Sequence, residues 1–394
     1  MLNSLDLFTG VGGITIALEG LCNPIAYCDI DKNAQQVLKS RMESKSLPEA
    51  PIFSDVKTLT KDDVLERVDI IVGGWPCQDI SIIGKKKGMG EGTRSGLIHE
   101  VYRLVDEFNP SALFLENVPE AINVGLGQMV NEFVIKRKYN MRWCIVPANA
   151  VGAPHLRKRF FCLITKPDFN HTFKDVAYTP KTWANDSEPT RMILNNREGA
   201  ITRIKMMGNA VVPDCVRAAF MTLFSGFHVS PCREILSTQT IQFQQVNFDH
   251  MVNININPME QIDAQYPKWG LVTTRENNNT SDIVYTLQQI PKLPVVDFDF
   301  TLNPAVFVRT RSNVDKGAQS PLLTEPKRLA RWATPRRSGL ASNILTVRTC
   351  ADLPTQVRFE VNTPNELRTG VINPEFVEWI MGYDIGWTKT QTQT

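Results

Sequence analysis

The sequence predicts an α/β chain: a doubly wound, mostly parallel sheet covered by helices, joined to a second, smaller, irregular strand-rich domain. Three observations lead there. Short apolar runs alternate with stretches of helical period from residue 1 to about 165. A glycine-rich turn follows the first apolar run directly. Beyond about Ser230 the helical period fades, and Asn, Gln, Thr and β-branched residues dominate, as in VNININ and SDIVYTLQQI.

The elements follow in order. Strands are expected at Asn3 to Phe8, Pro24 to Cys28, Pro51 to Ser54, Val68 to Gly73, Ser111 to Leu115, Arg142 to Pro147 and Arg159 to Thr165. Helices are expected at Gly13 to Gly20, Lys32 to Met42 and His99 to Phe108, each with apolar residues at helical spacing. A polar stretch from about Lys166 to Asn196 reads as a connector. Ile204 to Phe224 reads as a turn leading into a helix, and Asn373 to Met381 as a late helix. The terminal TKTQTQT is expected to fray. The expected domains are residues 1–227, which hold the chemistry, 228–345, and a closing segment 346–394.

The chain has 394 residues, 42% of them hydrophobic, ample for a sizeable core. No apolar run reaches membrane-spanning length, and MLNSLDLFTG lacks the basic-then-apolar pattern of a signal peptide. An intracellular protein with no membrane association is therefore expected. The eight cysteines form no CxxC pair and no Cys/His cluster at zinc spacing, so no metal is expected and most should be small buried hydrophobes. Net charge is only +2. From Pro304 to Arg348, however, nine basic residues stand against Asp315 and Glu325, an excess suited to several phosphates.

The chemistry-bearing residues gather where strands end. In LDLFTGVGG, Gly10, Gly12 and Gly13 let the backbone approach a ligand, and a helix N-terminus follows. The next strand ends in YCDID. An acid there accepts from ribose hydroxyls, with Asp29 the first candidate and Asp31 the alternative. Asp55 stands at the third strand end, placed to accept from an adenine amino group. Three acids at successive strand ends suggest a nucleoside-bearing ligand. The fourth strand runs into WPCQDIS, where Pro76 stiffens the backbone presenting Cys77; a thiolate there is a strong nucleophile. The fifth ends in Glu116, a carboxyl group suited to act as an acid if its pKa is raised, with Asn117 to anchor it. After Cys77, IIGKKKGMGEGTRSG reads as a glycine-interrupted basic lid. Arg157 and Arg159, two residues apart, would share one strand face and hold a carbonyl oxygen or phosphate.

DLFTGVGG, WPCQ, ENV, RKR and GNAVV occur together, and with them the chain resembles the cytosine-5 DNA methyltransferases over residues 1 to about 225. The tail NPEFVEWIMGYDIGWT is similar to the family's late motif. The resemblance implies a Rossmann-like S-adenosylmethionine-dependent fold. It implies that Phe8, Gly10, Gly12, Asp29, Ile30 and Asp55 line the S-adenosylmethionine site, with Asn209 and Val211 contributing from GNAVV. Cys77 would attack cytosine C6, and Glu116 would hydrogen-bond or protonate N3. Arg157 and Arg159 would steady the base and the closed lid, while Gln78 and Ser81 would support the loop. Double-stranded DNA is the implied partner, bound by a monomer that reads a specific sequence in residues 228–345, and a cognate restriction endonuclease is the implied functional companion.

Two departures stand out. GNAVV lies at 208–212, ahead of the recognition-like region rather than after it. With RWATPRRSGLASNILTVRTCADLPTQVRF near the end, this resembles the arrangement in large algal viruses. His155 occupies a position where the family commonly has Gln. Three other readings are an RNA (tRNA) cytosine methyltransferase, a non-enzymatic DNA-binding relative, and a nicotinamide-dependent oxidoreductase. The separate C-terminal region, the presence of Cys77 and Glu116, and the lack of GxGxxG weigh against them in turn.

Overall fold

A computed structural model describes residues 1–76, 95–173, 178–181, 183, 188–193, 197–225, 371–390 and, as strands only, 270–276 and 283–289. All seven strands expected in the first 165 residues form. They are β1 (Leu2–Leu7), β2 (Cys22–Cys28), β3 (Ile52–Phe53), β4 (Ile70–Gly74), β5 (Ala112–Asn117), β6 (Asn140–Pro147) and β7 (Lys158–Thr165). Two short strands, β8 (Met192–Ile193) and β11 (Val371–Ile372), pair with each other, while β9 (Gly270–Glu276) and β10 (Ile283–Gln289) extend the main sheet.

The main sheet has the order β10-β9-β6-β7-β5-β4-β1-β2-β3. Strands β3, β2, β1, β4 and β5 run parallel. β7 is antiparallel to β5, and β6 is antiparallel to β7. Six of the first seven strands therefore point the same way, and β7 alone is reversed. The order turns back on either side of β1 and β4, so ligands are expected beyond the carboxyl ends of these strands.

Alternating side chains supply two cores. Ile70, Val72, Ala112, Phe114, Phe161 and Leu163 face one side. That side is covered by α1 (Gly13–Ala17), α5 (Arg197–Asn209), α6 (Pro213–Ser225) and α7 (Pro374–Ile380). Leu5, Leu7, Ile71, Leu113, Leu115 and Phe160 face the other. There α3 (Ile98–Phe108) and α4 (Ala121–Met129) pack, and α4 runs on into a π-helix at Val130–Lys136. Helix α2 (Lys32–Glu43) begins at Asp31, whose side chain accepts from the Asn33 N–H, and buries Ala34, Val37 and Leu38.

The structure changes three expectations. The segment expected as a turn before one helix is two helices. Ala200, Ile204 and Met207 are buried at helical spacing along α5, and Pro213 then starts α6 at the first helical position. The stretch expected as a polar connector includes buried Trp183 and strand β8. The tail does not fray at Thr388: Thr388 and Thr390 are both buried. Residues 77–94, which hold Cys77 and all but the last two residues of the glycine-rich segment, the basic stretch 304–348 and most of residues 226–370 lie outside the described residues.

Candidate active site

Strand β1 leads into a turn of unusual backbone. Phe8, Gly10 and Gly12 all have positive φ (52°, 58° and 85°). This conformation is natural for glycine and costly for phenylalanine, the kind of strain that gathers at ligand sites. An ideal Cβ on Gly10 would meet nothing within 4 Å, so open space lies before the turn. Behind it, Asp6 is buried and accepts from the hydroxyls of Ser4 and Thr15. Burial raises its pKa to about 6 despite those bonds.

Asp29, at the end of β2, turns toward the same space. One carboxylate oxygen accepts from the Gly10 N–H at 2.7 Å and the other from the Asp31 N–H at 2.8 Å. Each oxygen keeps a lone pair for a ligand hydroxyl. Burial holds the Asp29 pKa above the usual carboxylate value, with the two N–H groups opposing. Asp31, the alternative, is occupied as the cap of α2. Ile30 next to it is an exposed large apolar side chain, 75% accessible, suited to a flat ring. Asp55 follows β3 half-exposed, one oxygen accepting from the Lys57 N–H. Asn209 is exposed at the end of α5, and Val211 is buried against Gly13. Polar acceptors, an exposed apolar side chain and open space thus gather beyond the ends of β1, β2 and β3.

The other half lies at β4 and β5. Their register sets Gly74 opposite Glu116. A Cβ on Gly74 would stand 2.5 Å from Glu116 Oε2, so the glycine makes room for that carboxylate. Asn117 Nδ2 donates to the Trp75 carbonyl at 3.2 Å, fixing the backbone two residues before Cys77. Cys77, Gln78 and Ser81 themselves lie outside the described residues.

Arg159 Nε pairs with Glu116 Oε1 at 2.8 Å, and both side chains are nearly buried. Burial raises the Glu116 pKa, while Arg159 and, after it, Arg157 pull it back. Arg157 is used differently. Its buried guanidinium donates to the carbonyls of Gly208 (3.0 Å) and Ala210 (2.7 Å), which ties the RKR segment to GNAVV. His155 is fully buried. Its Nδ1 accepts from the Arg157 N–H, and the backbone of Ile380 lies against the ring. Burial, aided by the two arginines, pushes its pKa down to about 3.

With this geometry in view, one comparison decides the family. A family model described as C-5 cytosine-specific DNA methylase matches residues 2–201, just over half of the chain. The chain belongs to this family. It is 30% identical over 392 residues to the Type II methyltransferase M.CviJI of Paramecium bursaria Chlorella virus IL3A, covering 97% of this chain and 96% of that protein. It is 28% identical over 212 residues to M.HhaI of Haemophilus parahaemolyticus, covering 51% of this chain and 62% of that protein. Against M.MspI of Moraxella sp it is 31% identical over 163 residues, with 40% and 37% covered. The chain thus matches the viral relative nearly end to end and less than two thirds of the two bacterial ones, as GNAVV placed ahead of the long C-terminal region leads one to expect.

Within the methylase, Cys22, Cys28, Cys144, Cys162 and Cys215 are buried and free, and burial pushes their thiol pKa values up. They are packing residues. No group of metal-binding side chains occurs among the described residues, and no helix among them is long and apolar enough to cross a membrane. Sequence reasoning missed Asp6, Gly74, Tyr383 and Trp387. The signal for the last two was present: YDIGW is an aromatic-rich stretch straight after an apolar helix.

Proposed function

We propose that the chain is a DNA (cytosine-5-)-methyltransferase that uses S-adenosylmethionine and a covalent Cys77–C6 adduct. The observation that carries this reading is the position of Glu116: a carboxylate with a raised pKa, held by Arg159, packed on Gly74 three residues before Cys77. Asp29, with Ile30 beside it, would hold the adenosyl group, and Asp55, Asn209 and the Phe8–Gly12 turn would complete its pocket. When bound, S-adenosylmethionine supplies an electrophilic methyl group.

The residues then divide the work. Cytosine C5 is too weak a nucleophile to take a methyl group unaided. The Cys77 thiolate adds to C6 and forms an S–C bond, while Glu116 hydrogen-bonds or protonates N3 and takes up the charge developing on the ring. C5 becomes enamine-like and gains the methyl group. A base then removes the C5 proton, and the S–C6 bond breaks. In a duplex C6 is stacked, so the target base must be flipped out at a cost of a few kcal/mol. Residues 228–345, with the basic stretch 304–348, would bind double-stranded DNA and read its sequence. Arg159 would steady both Glu116 and the base. Arg157 would hold GNAVV in place beneath them.

The relatives are named Type II methyltransferases, and a restriction endonuclease of the same specificity is the matching functional companion. The test is transfer of labelled methyl from S-adenosylmethionine to duplex DNA, with bisulfite sequencing to locate the product. Methylated cytosine at a defined site is expected. Transfer to tRNA and none to DNA would contradict the substrate assignment.

A further inference from the structure

The segment 371–390 lies far from the glycine-rich turn in sequence and against it in space. Glu378, on α7, is fully buried. Its Oε1 accepts from Arg203 Nη2 (2.8 Å), from the Thr388 N–H (2.8 Å) and from the Thr388 hydroxyl; its Oε2 accepts from the Gly386 N–H (2.7 Å). A buried carboxylate satisfied this fully fixes the chain reversal after α7.

That reversal carries two aromatic side chains with polar tips. Trp387 Nε1 donates to the Val11 carbonyl at 2.8 Å. Tyr383 Oη donates to the Val211 carbonyl at 2.9 Å. Val11 lies between Gly10 and Gly12, and Val211 lies two residues after Asn209. One short piece of chain thus holds both arms of the candidate donor pocket. Gly13 fits the same picture, because a Cβ there would lie 2.1 Å from Tyr383 Oη. Arg41 secures the far end, its guanidinium 5.5 Å from the Trp387 ring centre and its Nη2 donating to the Lys389 carbonyl.

We infer that Tyr383 and Trp387 are positioning residues of the methyl-donor site, setting the separation between the glycine-rich turn and the GNAVV turn. Neither touches the donor on this account. Each acts through one backbone carbonyl, Val211 for Tyr383 and Val11 for Trp387, in the two turns that flank the proposed donor site. The inference rests on the donor reading given above.

The test is calorimetric binding of S-adenosylmethionine and S-adenosylhomocysteine to the full chain, with thermal melting measured in parallel. The variants are Tyr383→Phe, Trp387→Phe and, as a control on the exposed part of the same reversal, Ile385→Ala. Tyr383→Phe and Trp387→Phe are expected to weaken binding by about 3- to 10-fold each, as loss of one hydrogen bond allows. The KM for the donor should rise in step, and kcat should change less. Ile385→Ala should bind as the parent does. A lowered melting temperature with parental affinity would show a merely structural role and overturn the inference. A parent chain that binds neither compound would overturn the donor reading itself, a separate and recognisable failure. Tyr383→Phe removes a single oxygen atom, so it carries the test alone if Trp387→Phe does not fold.

Discussion

Arg159 Nε and Glu116 Oε1 meet at 2.8 Å across the ends of β7 and β5, and this pair sets the protonation of the candidate acid. Burial favours the neutral carboxyl; the guanidinium favours the charged one. Removing the Arg159 guanidinium takes away the larger of the two opposing charge interactions and its hydrogen bond, leaving only Arg157 against burial. Arg159→Met is therefore expected to raise the Glu116 pKa further. A carboxyl group with a raised folded pKa keeps its proton in the folded state while the unfolded chain releases it. Its stability contribution is present below the ordinary carboxylate value and is lost as pH rises through the folded pKa. Arg159→Met should then lose more stability than the parent as pH rises above about 5, and Glu116→Gln should remove the difference. Chemical denaturation across pH 4–8 measures it, and parallel curves would count against the pairing. Glu116→Gln should also lower kcat by roughly 10²- to 10⁴-fold, the usual weight of a general acid.

Gly74 makes a steric prediction. With only 2.5 Å between a new Cβ and Glu116 Oε2, Gly74→Ala must push the carboxyl group aside. A displacement of about 1 Å at reacting groups costs on the order of 10²-fold in rate. Single-turnover kinetics should show that loss with donor affinity intact. A variant as fast as the parent would mean that Glu116 need not sit where it does.

Asp29 and Asp31 are two residues apart and should separate cleanly. Asp29→Ala removes the acceptor at Gly10 and the carboxylate proposed for the ribose, so donor affinity should fall by roughly 10- to 100-fold, the scale of a charged hydrogen bond. Asp31→Ala removes the cap of α2, costing about 1 kcal/mol of stability and little affinity. Titration calorimetry and urea unfolding on both variants check the pair. The reverse pattern would move the ribose contact to Asp31.

His155 predicts an acid-limb signature. Its folded pKa of about 3 stands below the ordinary 6.5, so the unfolded chain binds its proton in that window and the folded chain does not. Stability should rise with pH between about 3 and 6.5, and this contribution is lost as pH falls through the window. His155→Gln keeps an acceptor for the Arg157 N–H and carries no titrating group. It should flatten the dependence by up to about 1.4 kcal/mol per pH unit. An unchanged slope would show that other groups produce it.

Much of this was legible in the sequence. The seven strands are short apolar runs bounded by turn residues, and a buried strand has few other ways to look. The reversed direction of β7 was not visible, because an apolar strand reads the same in either direction. Helix α4 was missed because Gly125 and Gly127 interrupt it; packing of Ile122, Leu126 and Met129 on the sheet outweighs that local penalty. No helix is expected over α5 from the sequence, because its start bears polar residues and its end falls in the expected turn at Ile204. At the site, Asp29 was preferred over Asp31 on position, and the hydrogen bonds give a physical reason. Arg157 was expected at the base, yet its donors reach Gly208 and Ala210, partners some fifty residues on that no local pattern announces. The hold of Tyr383 and Trp387 on the glycine-rich turn is longer-range still.

The central claim is covalent: the Cys77 sulfur adds to C6 of a cytosine lifted from duplex DNA. Duplexes carrying 5-fluorocytosine at the methylated position test it most directly, since fluorine at C5 cannot leave as a proton does and the S–C6 bond persists. With S-adenosylmethionine present, the account predicts a DNA-linked species that survives denaturation, maps to Cys77 and is absent in Cys77→Ala, which still binds donor. Methyl transfer to the unmodified site with no trapped species, or trapping undiminished in Cys77→Ala, would contradict it.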